Sequence, residues 1–147
     1  MIKEITFDEI LPVWRDYLWP DRTSEITATS AMTYLGGYDL VNMQSESTFF
    51  AYMIDNEIAG VNSGHLTMDN SYRSRGLFVF DTYRRKGIGT LLLKATIDQA
   101  KLEGAALCWS YPRKSSWKSY LNAGFELASD WGTSETSDAN AYCVIRF

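Results

Sequence analysis

The chain has 147 residues, 46% hydrophobic and 22% charged, the proportions of one ordinary folded domain, which exclude collagen-like, disordered and coiled-coil classes. Lysine plus arginine number 14 against 18 aspartate plus glutamate, a net charge of −4 that argues against nonspecific nucleic-acid binding. The apolar runs at Leu77–Phe80 and Leu91–Leu93 are far shorter than the ~20 residues of a membrane span, and no apolar signal region follows Met1, so the expectation is a cytoplasmic protein with no membrane contact.

Ile2–Ile5 predicts a short strand, and Thr6-Phe7-Asp8-Glu9 has the form of a capping box opening a helix that runs to about Trp19. Pro12 is tolerated in the early turns and Pro20 ends the helix. Ser24–Leu35 predicts a second helix, closed by Gly36-Gly37. Thr48–Ile54 and Ile58–Thr67 predict a hairpin about Asp55-Asn56-Glu57, and the turn Met68–Ser71 leads to a third antiparallel strand, Tyr72–Phe80. Helical periodicity returns over Gly87–Glu103. Ala105–Tyr111 then reads as a buried strand and Ser115–Asn122 as a short helix. Phe125–Trp131 and Ala141–Phe147 read as strands about a polar loop, Gly132–Asn140. The pattern predicts a single α+β domain over residues 1–147. Cys108 and Cys143 are expected as reduced thiols, and with His65 the only histidine no metal site is expected.

The segment that carries chemistry is Leu77 to Thr90, a strand feeding a basic, glycine-containing turn that opens the long helix. First-turn amides have no acceptor within the helix and the dipole is positive there, so backbone donors can hold a pyrophosphate. Gly87 and Gly89 clear its approach, and Arg84, Arg85 and Lys86 add charge. The same residues suit an ordinary surface turn. Walker and dinucleotide fingerprints are absent, since the third glycine of the latter is replaced by Leu92.

Arg84-Arg85-Lys86-Gly87-Ile88-Gly89 resembles the pyrophosphate loop of the GNAT superfamily of acyl-CoA-dependent N-acyltransferases, and Tyr120-Leu121-Asn122-Ala123-Gly124-Phe125 is similar to its second signature. The resemblance implies a mixed, mostly antiparallel central sheet flanked by helices, with splayed fourth and fifth strands. It implies acetyl-CoA as co-substrate, with no metal. Leu77, Phe78 and Val79 would pair with the pantetheine arm, and Arg84, Arg85, Lys86, Gly87, Ile88, Gly89 and Thr90 would hold the pyrophosphate. The segment departs from the family at Arg113, Ser116 and Ser119. Ser116 is expected at the cofactor, and Arg113, Lys114 and Lys118 either meet phosphate or form a solvated basic face.

The resemblance also implies Tyr120 as the general acid toward the coenzyme A sulfur and the Val79 amide as donor to the thioester carbonyl. Arg73 stands where some relatives carry a basic glutamate. The alternatives for a base are Glu57, His65, a water chain to Asp81, or direct attack by an already neutral amine. By strand parity Arg73 and Arg75 are expected on the same face as Leu77 and Val79, where they form an anion-binding acceptor pocket or else bridge the outer sheet. The resemblance implies that the first two helices supply an acceptor wall, where they offer Trp14, Tyr17, Trp19 and Tyr34 with Asp16, Asp21 and Glu25, although aromatics at helical spacing are mostly core. The expected function is acetyl transfer to a primary amine of a small molecule or peptide. A noncatalytic acyl-CoA sensor or peptide-binding module is the alternative, and a homodimer is left open.

Overall fold

The computed structural model describes residues 1–38, 46–67, 69–132 and 139–147. Strand β1 (Ile2–Ile5) passes through Thr6 into helix α1 (Phe7–Val13). The capping box forms: Glu9 N donates to the Thr6 hydroxyl at 3.2 Å and the Thr6 amide donates to the Glu9 carboxylate at 3.1 Å. The helix then widens into a π-helical stretch, Trp14–Leu18, and ends at Trp19, the residue before Pro20.

Strands β2 (Thr48–Ile54), β3 (Glu57–Leu66) and β4 (Ser71–Val79) are antiparallel neighbours. Helix α2 (Ile88–Leu102) crosses to β5 (Leu107–Ser110), which runs parallel to β4. Helix α3 (Trp117–Ala123), β6 (Glu126–Leu127) and β7 (Cys143–Arg146) complete a seven-stranded sheet in the order β1-β2-β3-β4-β5-β7-β6. One face buries Tyr72, Leu93, Ile97, Tyr120 and Phe125 with α2 and α3. The opposite face buries Ile10, Val13, Trp14, Phe49 and Val61 with α1. Each large apolar side chain removed from water contributes ~1.5–3 kcal/mol, so the two cores clamp the sheet from both sides. Among the described residues no helix is long and apolar enough to cross a membrane.

Two expectations about elements are corrected. No helix forms over Ser24–Leu35; among the described residues there is only a 3-10 turn at Tyr34–Gly36. The backbone there is engaged elsewhere: Thr27 O accepts from Arg75, Ala28 O from Ser47, Thr29 O from the Thr27 hydroxyl, and Ser30 N donates to His65. Ser and Thr side chains compete with the helical ladder in this way. The strand expected over Phe125–Trp131 is confined to Glu126–Leu127. Ala128 N still donates to Tyr142 O, but the Ser129 hydroxyl captures the Tyr142 amide at 2.9 Å and so ends the ladder. Met68, within the expected turn, and residues 133–138, within the expected loop, lie outside the described residues.

Candidate active site at the splayed strands

Strands β4 and β5 pair only at Ser71–Leu107, Tyr72–Cys108 and Arg73–Trp109, and then part. The gap belongs to a cleft of about 1270 Å³, larger than the ~300–1,000 Å³ of most ligand pockets and roomy enough for two substrates. Its described lining includes Arg73, Arg75 to Val79, the loop residues Arg84, Arg85 and Gly87 to Thr90, Ser116 and Tyr120. No carboxylate lines it among the described residues.

The backbone of β4 is kinked where it enters the gap. Ser63 lies opposite Arg75 and Val61 opposite Phe78, so two residues of β4 fill the place facing Asn62. This is a β-bulge at Gly76, whose φ is +81° and whose carbonyl accepts the Trp14 indole N–H at 2.9 Å. The extra residue reverses the alternation of the strand, which corrects the parity expected for the arginines. Arg73 and Arg75 share their face with Phe78 and the α1 core, while Leu77 and Val79 pack on the α2 side.

Beyond the bulge, Phe80 N donates to Ala59 O at 3.0 Å, so Val79 occupies a non-hydrogen-bonded position and its N–H and C=O point away from β3, toward the gap. Its carbonyl takes the Arg84 Nε at 2.9 Å, and Arg84 Nη1 also meets Asp81 at 2.7 Å. Arg84 therefore braces the strand end. The turn continues through Arg85 (φ +64°) and Gly87 (φ +76°), two left-handed residues that present successive amides ahead of α2. A Cβ at Gly87 would meet open space, whereas one at Gly89 would lie 2.9 Å from the Ser119 hydroxyl. The loop is thus a backbone cradle pressed against α3, with Arg85, Arg113 and Lys118 along the cleft wall. Lys86 turns to the Tyr83 ring, 5.7 Å away, and is not part of that wall.

Tyr120 reaches the gap from α3 with only 3% exposure. Its oxygen is 3.5 Å from the Ser110 hydroxyl, which itself donates to Ser74 O at 2.8 Å. Burial pushes the phenol well above its ordinary range, and the Ser110 hydrogen bond and the Arg73 charge only partly oppose that. Tyr120 is therefore a protonated donor at neutral pH.

His65 lies outside the cleft, fully buried opposite Arg73 on β3. Nε2 accepts the Ser30 amide at 3.3 Å, which leaves Nδ1 to donate to Leu66 O at 3.2 Å. Both nitrogens are occupied, and burial first, then the charges of Arg73 and Arg75, hold its pKa down to about 4. Glu57 accepts from the Tyr83 hydroxyl at 3.4 Å and Asp81 pairs with Arg84; neither lines the cleft. Of the expected acceptor wall, Tyr17 and Trp19 line the cleft with Leu18, whereas Trp14 is core and Tyr34 packs on Trp109. The bulge was the main feature missed, and Gly76 inside a strand pattern was the available signal.

A splayed pair of parallel strands beside a glycine turn at the head of a long helix is matched by the sequence pattern of the acetyltransferase (GNAT) family over residues 10–125. The chain belongs to this family. No curated protein matches it. The IAA acetyltransferase from Bacillus cereus has a similar structure, with TM-score 0.71 and 16% identity over 100% of this chain and 99% of that one. A GNAT-family acetyltransferase from Staphylococcus aureus gives TM-score 0.67 and 16% identity over 99% and 98%. The ribosomal-protein-S18-alanine N-acetyltransferase from Escherichia coli gives TM-score 0.66 and 14% identity over 99% and 92%. At these identities the likeness is one of fold, and it extends over almost the whole of this GNAT member.

Proposed function

We propose that the protein transfers an acetyl group from acetyl-CoA to a primary amine by direct attack in a ternary complex. The observation that carries this reading is the convergence, on one cleft, of the loop Arg84–Thr90, the outward-turned Val79 backbone and the protonated Tyr120. The cradle suits a pyrophosphate: it has left-handed residues at Arg85 and Gly87, no side chain at Gly89, and Arg85, Arg113 and Lys118 alongside. Acetyl-CoA supplies the activated acyl group as a thioester.

In this reading the Val79 amide donates to the thioester carbonyl, stabilising the charge that develops on oxygen as the amine nitrogen bonds to carbon. The carbon–sulfur bond breaks, Tyr120 gives its proton to the departing sulfur, and solvent restores it. The proton lost by the amine goes to water, since no carboxylate lines the cleft among the described residues and His65 is occupied. An alkyl amine at pH 7 lies ~3 units below its pKa, so reaching the neutral form accounts for ~4 kcal/mol of the apparent barrier.

The test is Tyr120→Phe. Turnover of an amine panel should fall by ~10²–10⁴-fold, the usual contribution of a positioned acid, while the acetyl-CoA dissociation constant stays the same. Undiminished turnover would remove Tyr120 from the mechanism. A parent protein that binds acetyl-CoA and acetylates no amine would instead favour a sensor.

A further inference from the structure

Two guanidiniums face the cleft from the α1 side of the sheet, and among the described residues no acid pairs with them. Arg75, 5% exposed, lies 5.0 Å from the Trp14 ring centroid and 5.2 Å from that of Trp19, and its Nη1 donates to Thr27 O at 2.7 Å. Arg73 lies 4.8 Å over Trp109, and its Nη1 donates to the Ser30 hydroxyl at 3.2 Å. The buried Nε of Arg73 has no hydrogen-bond partner among the described residues. Among the described residues neither arginine forms an ion pair, although a guanidinium offers five donors. Stacking on indole rings offsets part of the cost of burying these charges, and the donors left over point to an anion from outside the chain.

The place of the two side chains decides which anion. The bulge at Gly76 puts them on the face opposite Leu77 and Val79, so they are separated by the sheet from the side of the phosphate cradle. Arg73 stands at the last paired position before β4 and β5 part, beside the opening where Tyr120 arrives. An anion held there belongs to the second substrate.

We propose that the acceptor is a small amino-acid-like amine whose own carboxylate is held by Arg75 and Arg73, directing its nitrogen through the gap toward Val79. This deepens the acetyl-transfer reading and rests on it. A planar carboxylate accepts two parallel N–H bonds from a guanidinium, which fixes orientation as well as supplying charge. Tyr17 and Trp19 along the same wall give the remainder of the acceptor an aromatic surface. A polyamine would set its cations against the two arginines, and the net charge of −4 does not rescue it, because exposed charges farther than ~8–10 Å are screened.

The experiment measures kcat/KM with acetyl-CoA for phenylalanine, phenylalaninamide and phenethylamine, for O-phosphoethanolamine beside ethanolamine, and for spermidine. Phenylalanine should exceed its two uncharged-end analogues by about 10- to 100-fold, the range of a charge-assisted contact. Arg75→Gln should bring that ratio toward one, and Arg75→Lys should retain part of it, with the acetyl-CoA dissociation constant unchanged by calorimetry in both. Should a variant fail to fold, the parent panel still decides. Equal or faster turnover of phenethylamine or spermidine overturns the proposal while acetyl transfer stands. Preference confined to the phosphate ester overturns the carboxylate and reassigns the arginines to phosphate. Failure of acetyl-CoA to bind removes the reading beneath the proposal.

Discussion

The indole N–H of Trp14 donates to the carbonyl of Gly76 at 2.9 Å, tying the start of the π-helical stretch to the bulge that reverses the faces of β4. A Cβ on Gly76 would sit 2.4 Å from the Trp14 ring, at a φ of +81° that side chains rarely adopt. Gly76→Ala should therefore cost ~2–4 kcal/mol, combining left-handed strain with overpacking. Trp14→Phe should cost ~1–3 kcal/mol for the orphaned carbonyl alone. Urea unfolding measures both, and a parent-like midpoint for Gly76→Ala would contradict the bulge.

In the proposed mechanism the protonation of Tyr120 sets the alkaline side of the rate profile. Its phenol is held above its ordinary range, so it stays protonated while the acceptor amine titrates. At saturating acetyl-CoA, log kcat/KM should climb with a slope near one as pH rises toward the amine pKa, without falling again below pH ~10. A descending limb centred at about pH 10 would show a phenol that titrates in its ordinary range.

Gly87 and Gly89 should respond differently to a side chain. Gly87→Ala meets open space and pays only for its φ of +76°, ~1–2 kcal/mol. Gly89→Val also pushes on Ser119 and fills the cradle, so it should weaken acetyl-CoA binding by at least tenfold in calorimetry. Parent-like affinity in Gly89→Val would place the pyrophosphate elsewhere.

His65 should make folding stability depend on pH in a window where few other groups titrate. Its folded pKa, about 4, lies below the ordinary 6.5, so the unfolded chain binds the extra proton. Stability is fully present above pH ~6.5 and falls as pH drops toward 4, by about 2 kcal/mol between pH 7.5 and 5. Because His65 is the only histidine, His65→Gln should flatten urea-derived stability over pH 5–7. An unchanged slope would show that the imidazole is not held neutral.

The turn Arg84–Thr90 and the helix after it were legible because glycine placement and helical period agree with the tertiary arrangement. Ser24–Leu35 was not, because its hydrophobic spacing resembles a helix while its carbonyls are taken by Arg75 and Ser47, residues distant in sequence. The face of Arg73 and Arg75 is hidden in the sequence for a related reason. Strict alternation holds only in an unbroken strand, and one residue inserted at Gly76 exchanges the two faces. Roles within the basic run were equally hidden: Arg84 braces Val79, Lys86 turns to Tyr83, and Arg85 lines the cleft.

Acetyl-CoA is proposed to bind the cleft between β4 and β5, and thermal unfolding of the parent protein across an acetyl-CoA titration tests this most directly. At 100 times the dissociation constant the ligand should stabilise the fold by ~2.7 kcal/mol, a rise of roughly 5–10 °C for a domain of this size. The rise should shrink in Gly89→Val at the same concentration. A melting temperature that does not move at millimolar acetyl-CoA would contradict binding of the thioester at this cleft.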